Sequence, residues 1–168
     1  MRIRREEDGD HAAIRNVVGA AFGSPVEPDL VDAIRVSDRF LPELSLVAEV
    51  DGEIVGHILV SYVDLEPGSV RVLQVAPLAV APAHQRRGVG GALMREALRV
   101  AEERGAPLVL VEGDPGYYGR FGFRRSDEAG ITAPTNVSPQ YLMVRILSAH
   151  DPAIRGRLVY PEAFATVS

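Results

Sequence analysis

Three stretches of this chain predict an α/β fold, with helices packed on a central sheet. From Leu78 to Ala101 an apolar strand end, Leu78-Ala79-Val80-Ala81-Pro82, passes through the glycine-bearing loop Gln85-Arg86-Arg87-Gly88-Val89-Gly90-Gly91 into an amphipathic helix. Asp51-Gly52 between two apolar runs marks a tight hairpin. Pro107 to Glu112 is short and almost wholly apolar, as expected of a central strand covered on both faces.

In chain order, a short strand near Arg2 to Arg5 is followed by Asp8-Gly9-Asp10 as a helix start. His11 to Phe22 carries Ile14, Val17, Val18 and Ala21 at helical spacing, and Gly23-Ser24-Pro25 ends that helix. A second helix is read over Asp29 to Val36, burying Leu30, Ala33 and Ile34. Leu44 to Val50 and Glu53 to Val63 are the hairpin strands, and Val70 to Ala81 the next strand. Pro77 cannot donate to a ladder, so that strand is expected to bulge or lose a partner there.

The helix from Gly90 to Arg104 buries Leu93, Met94, Ala97, Leu98 and Ala101, and Gly105 is its stop. A one-turn helix at Pro115 to Arg120, a strand near Phe123, a polar loop with Pro134 and Pro139, and a last strand over Tyr141 to Leu147 complete the order β-α-α-β-β-β-α-β-α-β-β. The tail from Ser148 carries Leu158, Val159, Tyr160 and Phe164, enough apolar surface to dock on the rest.

The length, 168 residues, suits one domain, and 46% hydrophobic with 24% charged residues is an ordinary globular balance. A net charge of -5 without any lysine argues against nucleic-acid binding. The absence of cysteine excludes disulfides, thiolate metal ligands and a cysteine-acetyl intermediate. No metal is expected. The charged opening, Met1 to Glu7, has no apolar signal region, and no stretch reaches the roughly 18 apolar residues of a membrane span, so a cytoplasmic protein with no membrane contact is expected.

The loop before the long helix is the main functional signal. The first amides of a helix have no internal acceptors, and together with the positive end of the helix dipole and two neighbouring arginines they suit a phosphate or pyrophosphate. A Walker loop would need Gly-Lys followed by Ser or Thr, and a dinucleotide fold a third spaced glycine with a later acidic residue. Neither is present.

The pattern Gln-x-x-Gly-x-Gly-Gly, preceded by Leu-Ala-Val-x-Pro, resembles the acyl-CoA pyrophosphate loop of the GNAT superfamily of N-acetyltransferases. About 25 residues on, Gly113-Asp114-Pro115-Gly116-Tyr117-Tyr118-Gly119-Arg120-Phe121-Gly122-Phe123 resembles the family's tyrosine-bearing segment. The resemblance spans about Arg2 to Leu147. With Tyr160-Pro161-Glu162-Ala163-Phe164 in the tail, the chain looks like a bacterial subgroup of predicted N-acetyltransferases. It implies the GNAT fold, an α/β (in some schemes α+β) arrangement whose mixed central sheet is flanked by helices and contains a splayed central strand pair. One N-acetyltransferase domain over 1–168, with 148–168 a docked tail, is the expected organisation.

The same resemblance implies acetyl-CoA as co-substrate and an amine acceptor, with acetyl transfer by direct attack. It assigns cofactor binding to Leu78, Ala79, Val80, Gln85, Arg86, Arg87, Gly88, Val89, Gly90, Gly91 and Tyr118. The Leu78 backbone N–H would polarise the thioester carbonyl, Val80 would bond the pantetheine arm through its backbone, and Gly88 and Gly90 would permit close approach. Tyr118, ahead of Gly122, aligns with the tyrosine that protonates the departing sulfur; Tyr117 would pack or line the substrate pocket.

Many members carry a glutamate where this chain has Gln74, and an amide accepts no proton. Deprotonation then runs through water to Glu112, Asp114 or His57, or the acceptor enters as free amine. His57 also reads as structural or substrate-lining, and His11 and His84 as solvated. A catalytically silent acyl-CoA-binding sensor is the competing reading. The acceptor is not legible, and a homodimer is compatible with the sequence.

Overall fold

The apolar runs become the strands of one sheet. The computed structural model describes residues 1–167, with side chains to residue 165; Ser168, the last residue of the expected tail, lies outside the described residues. Among the described residues the strands are β1 (Arg2–Arg5), β2 (Ser45–Val50), β3 (Glu53–Glu66), β4 (Val70–Val80), β5 (Leu108–Glu112), β6 (Arg124–Arg125), β7 (Ile131–Thr132), β8 (Leu142–Ile146) and β9 (Gly156–Val159). They lie in the order β1-β2-β3-β4-β5-β8-β6, with β9 on β3 and β7 on β9. The β4–β5 and β7–β9 pairs are parallel and the others antiparallel, so the sheet is mixed.

Alternating side chains divide the interior into two cores. Leu46, Ala48, Val109 and Val111 face α3 (Val89–Glu103), which buries Leu93, Met94, Ala97 and Ala101, while Leu98 stays half-buried. Val47, Leu108 and Leu110 face α1 (His11–Phe22) and α2 (Val26–Arg35). Full burial of a leucine such as Leu93 contributes about 1.5–3 kcal/mol. The helix approaches closely because Gly56 has no side chain: a Cβ there would lie 2.9 Å from Leu93 Cδ1 and Val89 Cγ1. The hairpin turn forms at Asp51 and Gly52, both at positive φ, as Asp-Gly favours.

Two expectations change. The second helix starts at Val26, not Asp29, because Pro28 fits a first turn whose N–H groups need no helical partner; Pro28 and Val31 are buried, and Ala33 is not. The strand at Leu142–Ile146 is not the last. The tail forms β9, which pairs Asp64↔Val159, Leu65↔Leu158 and Glu66↔Arg157. It takes the side of β3 that β2 leaves after Ser45↔Leu59. Leu158 and Phe164 are buried, whereas Val159 is exposed. Gly156 sits at φ 138°, where an added Cβ would overlap the Glu66 carbonyl.

One polar cluster joins four elements behind the sheet. Glu6, just past β1, receives Arg35 Nε of α2 at 2.7 Å and the hydroxyl of Ser45 at the start of β2. His57 of β3, fully buried, holds its Nε2 3.0 Å from Ser45 Oγ and 3.7 Å from Glu6 Oε1. His11 Nε2 adds a contact at 3.3 Å. Burial alone would raise the Glu6 carboxyl, but the nearby His57 ring and the hydrogen bonds from Arg35 and Ser45 outweigh it and hold Glu6 well below the usual carboxylate range. Burial lowers His57, against the pull of Glu6, so the folded state keeps it neutral.

Both shifts make acid destabilising. Above pH 6.5 His57 is neutral folded and unfolded; below it the unfolded chain takes a proton that the folded chain refuses. Stability should fall with decreasing pH from there, by at most about 1.4 kcal/mol per pH unit for this one group. The Glu6 contribution is lost only below 4.5. Melting temperatures between pH 8 and pH 5 (on the order of three units, enough to span the histidine range) should decline in the wild type and flatten in His57→Gln.

Candidate functional site

The cleft begins where β4 and β5 part. They pair at Leu73↔Val109, Gln74↔Leu110 and Val75↔Val111, and no further among the described residues. Beside this end the β3–β4 register shifts between Ile58 and Val60, placing an extra residue in β4 around Ala76 and Pro77. The bulge and the missing proline N–H turn β4 away from its parallel neighbour.

Beyond the bulge, backbone groups alternate between the two sides of the strand. Ala81 N–H donates to Val55 O on β3, so Ala79 also faces β3, while the N–H and C=O of Leu78 and Val80 face the cleft. Val80 O accepts Gln85 Nε2 at 3.1 Å, which folds the loop back over the strand end. The Ala79 side chain is buried in the opposite core, so Ala79 borders the cleft neither by side chain nor by backbone.

At one end of the cleft is a cavity of about 640 Å3 lined by Leu78, Val80, the loop and the start of α3. Gly88, at φ 82°, is the helix N-cap and supplies no side-chain cap, and the first turn has no acidic residue. Ala92 N–H is the first helix amide to bond back, to Gly88 O, so the amides of Val89, Gly90 and Gly91 are left for an anion. Arg86 stands at φ 63°, a backbone state that side chains rarely adopt, and lines this cavity with Arg120 and His84. Arg87 is exposed and outside the lining. Gly90 packs under Tyr117, whose Oη would lie 2.7 Å from an added Cβ. Tyr117 thus covers the loop rather than the acceptor side.

At the other end is a cavity of about 580 Å3, bounded by Gln74 to Leu78, Glu112, α2 and the tail from Tyr160 to Ala165. Leu78, Phe22 and Tyr118 line both cavities and mark their junction. Tyr118 sits on α4 (Pro115–Tyr118), a turn capped by Asp114, whose carboxylate accepts Gly116 N–H at 3.0 Å. Its ring is packed edge-on to Tyr117 and Phe123. Burial, with Tyr117 and Asp114 nearby, pushes the Tyr118 phenol up to about 12, so it carries its proton at neutral pH. Among the described residues no group of three or more His, Asp or Glu is arranged to hold a metal ion.

The sequence compares with known proteins as this geometry suggests. The model of the acetyltransferase (GNAT) family matches residues 11–123. The chain belongs to that family. It is an acetyltransferase, similar to the Escherichia coli K12 protein named uncharacterized N-acetyltransferase YjhQ, at 34% identity over 158 residues, 90% of this chain and 87% of that one. The crystal structure of E. coli YhbS in complex with CoA superposes with TM-score 0.88 at 29% identity, covering 97% of this chain and 91% of that one. A GNAT-family acetyltransferase from Brucella melitensis in complex with acetyl-CoA gives TM-score 0.80 at 34% identity, covering 97% of both chains. The expected GNAT fold is therefore the observed one. No helix among the described residues is long and apolar enough to cross a membrane.

Within this GNAT cleft the three expected proton acceptors separate. His57 is sealed in the Glu6 cluster and lines neither cavity, correcting its reading as a base or substrate-lining group. Asp114 is occupied as a helix cap. Glu112 remains on the cavity wall, bonded to a residue given no role by the sequence motifs: Tyr160 of the tail. Its hydroxyl donates to Glu112 Oε2 at 2.9 Å and accepts from Gln74 Nε2 at 2.8 Å. In the sequence Tyr160 belongs to the subgroup-like segment Tyr160 to Phe164 of an apolar tail, and neither feature assigns its hydroxyl a place at the cleft.

Burial, reinforced by Glu112, drives the Tyr160 phenol well above its ordinary range, so it remains a donor. Removing this hydroxyl would strand a buried Gln74 amide, at a cost of about 1–3 kcal/mol. Tyr160→Phe should lower unfolding free energy by that amount in a denaturant titration; an unchanged midpoint would show the bridge to be energetically idle.

Proposed function

We propose that this chain is an acetyl-CoA-dependent N-acetyltransferase that acetylates a primary amine of a small molecule or protein by direct attack on the thioester. We assign it a single domain over 1–168 with 148–168 docked on it, and place it in the cytoplasm. One observation carries the reading: the parted β4–β5 pair connects an amide- and arginine-lined cavity to a second cavity, with Leu78 and Tyr118 at their junction. The CoA and acetyl-CoA complexes of the two solved relatives support the same ligand here.

The residues fit such a ligand chemically. The amides of Val89, Gly90 and Gly91, with Arg86 and Arg120, suit a pyrophosphate, and the cleft-facing backbone of Val80 suits amides of the pantetheine arm. Leu78 N–H would stabilise charge developing on the thioester oxygen. As the amine nitrogen bonds to the acetyl carbon, the carbon–sulfur bond breaks and Tyr118 Oη gives its proton to the departing sulfur. The nitrogen sheds its own proton towards Glu112 or solvent, and solvent reprotonates Tyr118. A phenol held near 12 is protonated at neutral pH, the state from which a general acid must start.

Acetyl-CoA at about 100 times its dissociation constant should stabilise the protein by roughly 2.7 kcal/mol, seen as a melting shift. Gly90→Glu should lose the shift, because its Cβ displaces the Tyr117 hydroxyl and its carboxylate repels the pyrophosphate, with folding checked by its ligand-free melting curve; a variant with the full shift contradicts the assignment.

Tyr118→Phe should keep that shift and lose about a hundredfold in kcat, measured as thiol release with an amine panel. If Tyr117→Phe is the damaging change and Tyr118→Phe is harmless, the acid is the other tyrosine. Binding of acetyl-CoA with no thiol release across the panel would favour the silent-sensor reading.

A further inference from the structure

The two cavities that meet at Tyr118 have opposite charge. Among the described residues the charged groups lining the loop side are Arg86 and Arg120, and those lining the other side are Glu27, Glu112 and Glu162. No cation lines the second cavity among the described residues.

Its hydrogen-bonding groups are equally one-sided. Gln74 is 2% exposed, lines the cavity, and gives its Nε2 to Tyr160, leaving Oε1 buried without a partner. Glu27 Oε2 is also buried and unpaired. Tyr160 donates its proton to Glu112, which keeps lone pairs for a further donor. Buried acceptors are ordinarily satisfied, so the missing partner here is a hydrogen-bond donor, and the three glutamates favour one that is also a cation. Phe22, Leu30, Val111 and Phe164 make the remaining walls apolar.

We propose that the acceptor is a cationic amine that carries no carboxylate, an alkyl or arylalkyl monoamine or a diamine, bound with its ammonium against Glu112 and Gln74 Oε1. An amino-acid acceptor would bring a carboxylate next to three glutamates with no cation to pair it, and like charges at close quarters exclude a ligand more effectively than lost contacts do. This inference rests on the acetyltransferase reading and narrows its substrate.

Two matched pairs test it, 2-phenylethylamine against phenylalanine and 1,4-diaminobutane against ornithine, with acetyl transfer followed by thiol release and acetyl-CoA binding by melting shift. In at least one pair the amine should be acetylated with kcat/KM about tenfold or more above its carboxylated counterpart. Glu112→Gln and Glu27→Gln should each narrow that ratio while keeping the acetyl-CoA shift. A ratio near one, a reversed ratio, or no transfer to any of the four compounds despite the shift overturns the substrate class, and thiol release with any other amine of the panel keeps the enzyme reading standing. Absence of the shift in the wild type overturns the enzyme reading and the substrate class with it. Should a variant fail to fold, the wild-type ratios decide alone.

Discussion

Everything at the site depends on the end of backbone pairing between β4 and β5 at Val75↔Val111. A central strand with a neighbour on each side has no backbone groups to offer a ligand, since its amides and carbonyls are consumed by the ladder. The extra residue around Ala76 and Pro77 frees one side of β4 over Leu78 and Val80, while Ala79 and Ala81 stay bonded to β3. The strand therefore remains anchored and still presents unpaired polar backbone to a cleft. The loop that follows extends the same device, because the start of α3 adds amides with no internal acceptors.

An open cleft between two strands would be a weak point unless the strands were held elsewhere. The α3 side does this through close packing on Gly56, where the absence of a Cβ lets Val89 and Leu93 reach β3 directly. The opposite face relies on Glu6, which links β1, β2, β3 and α2 through Arg35, Ser45 and His57. A buried carboxylate is costly unless paired and hydrogen-bonded, and this one has both forms of support. The separation of roles is clear in the histidine: His57 shares a strand with the cleft's neighbour but turns into the core, where it is structural.

Local signals were readable and distant ones were not. The loop from Gln85 to Gly91 and the Tyr117-Tyr118 segment depend on short-range requirements, positive φ at Gly88, close approach at Gly90 and a one-turn helix, so their residue types declare them. The exclusion of Ala79 from the cleft follows from strand alternation together with the direction of a single hydrogen bond, which a sequence does not specify. β9 is four residues long and earns its place by pairing with β3, far away in the chain, so neither length nor periodicity announces it. Gly156 gave no usable signal either, since a glycine in an exposed loop and one forced by the Glu66 carbonyl look alike in sequence.

That missed strand has a functional consequence. By pairing Val159 with Asp64, β9 directs the next residue, Tyr160, across the mouth of the parted strands to meet Gln74 of β4 and Glu112 of β5. One hydroxyl thus spans the two strands just where their own ladder has stopped, replacing a backbone link with a side-chain link. The same contact fixes the acceptor wall: it orients the Gln74 amide so that its oxygen is left over, and it aims the Tyr160 O–H at one Glu112 oxygen. The acceptor side of the cleft is consequently built by the tail as much as by the sheet, and its chemistry is set by a segment that lies outside the cofactor-loop and Tyr117-Tyr118 motifs.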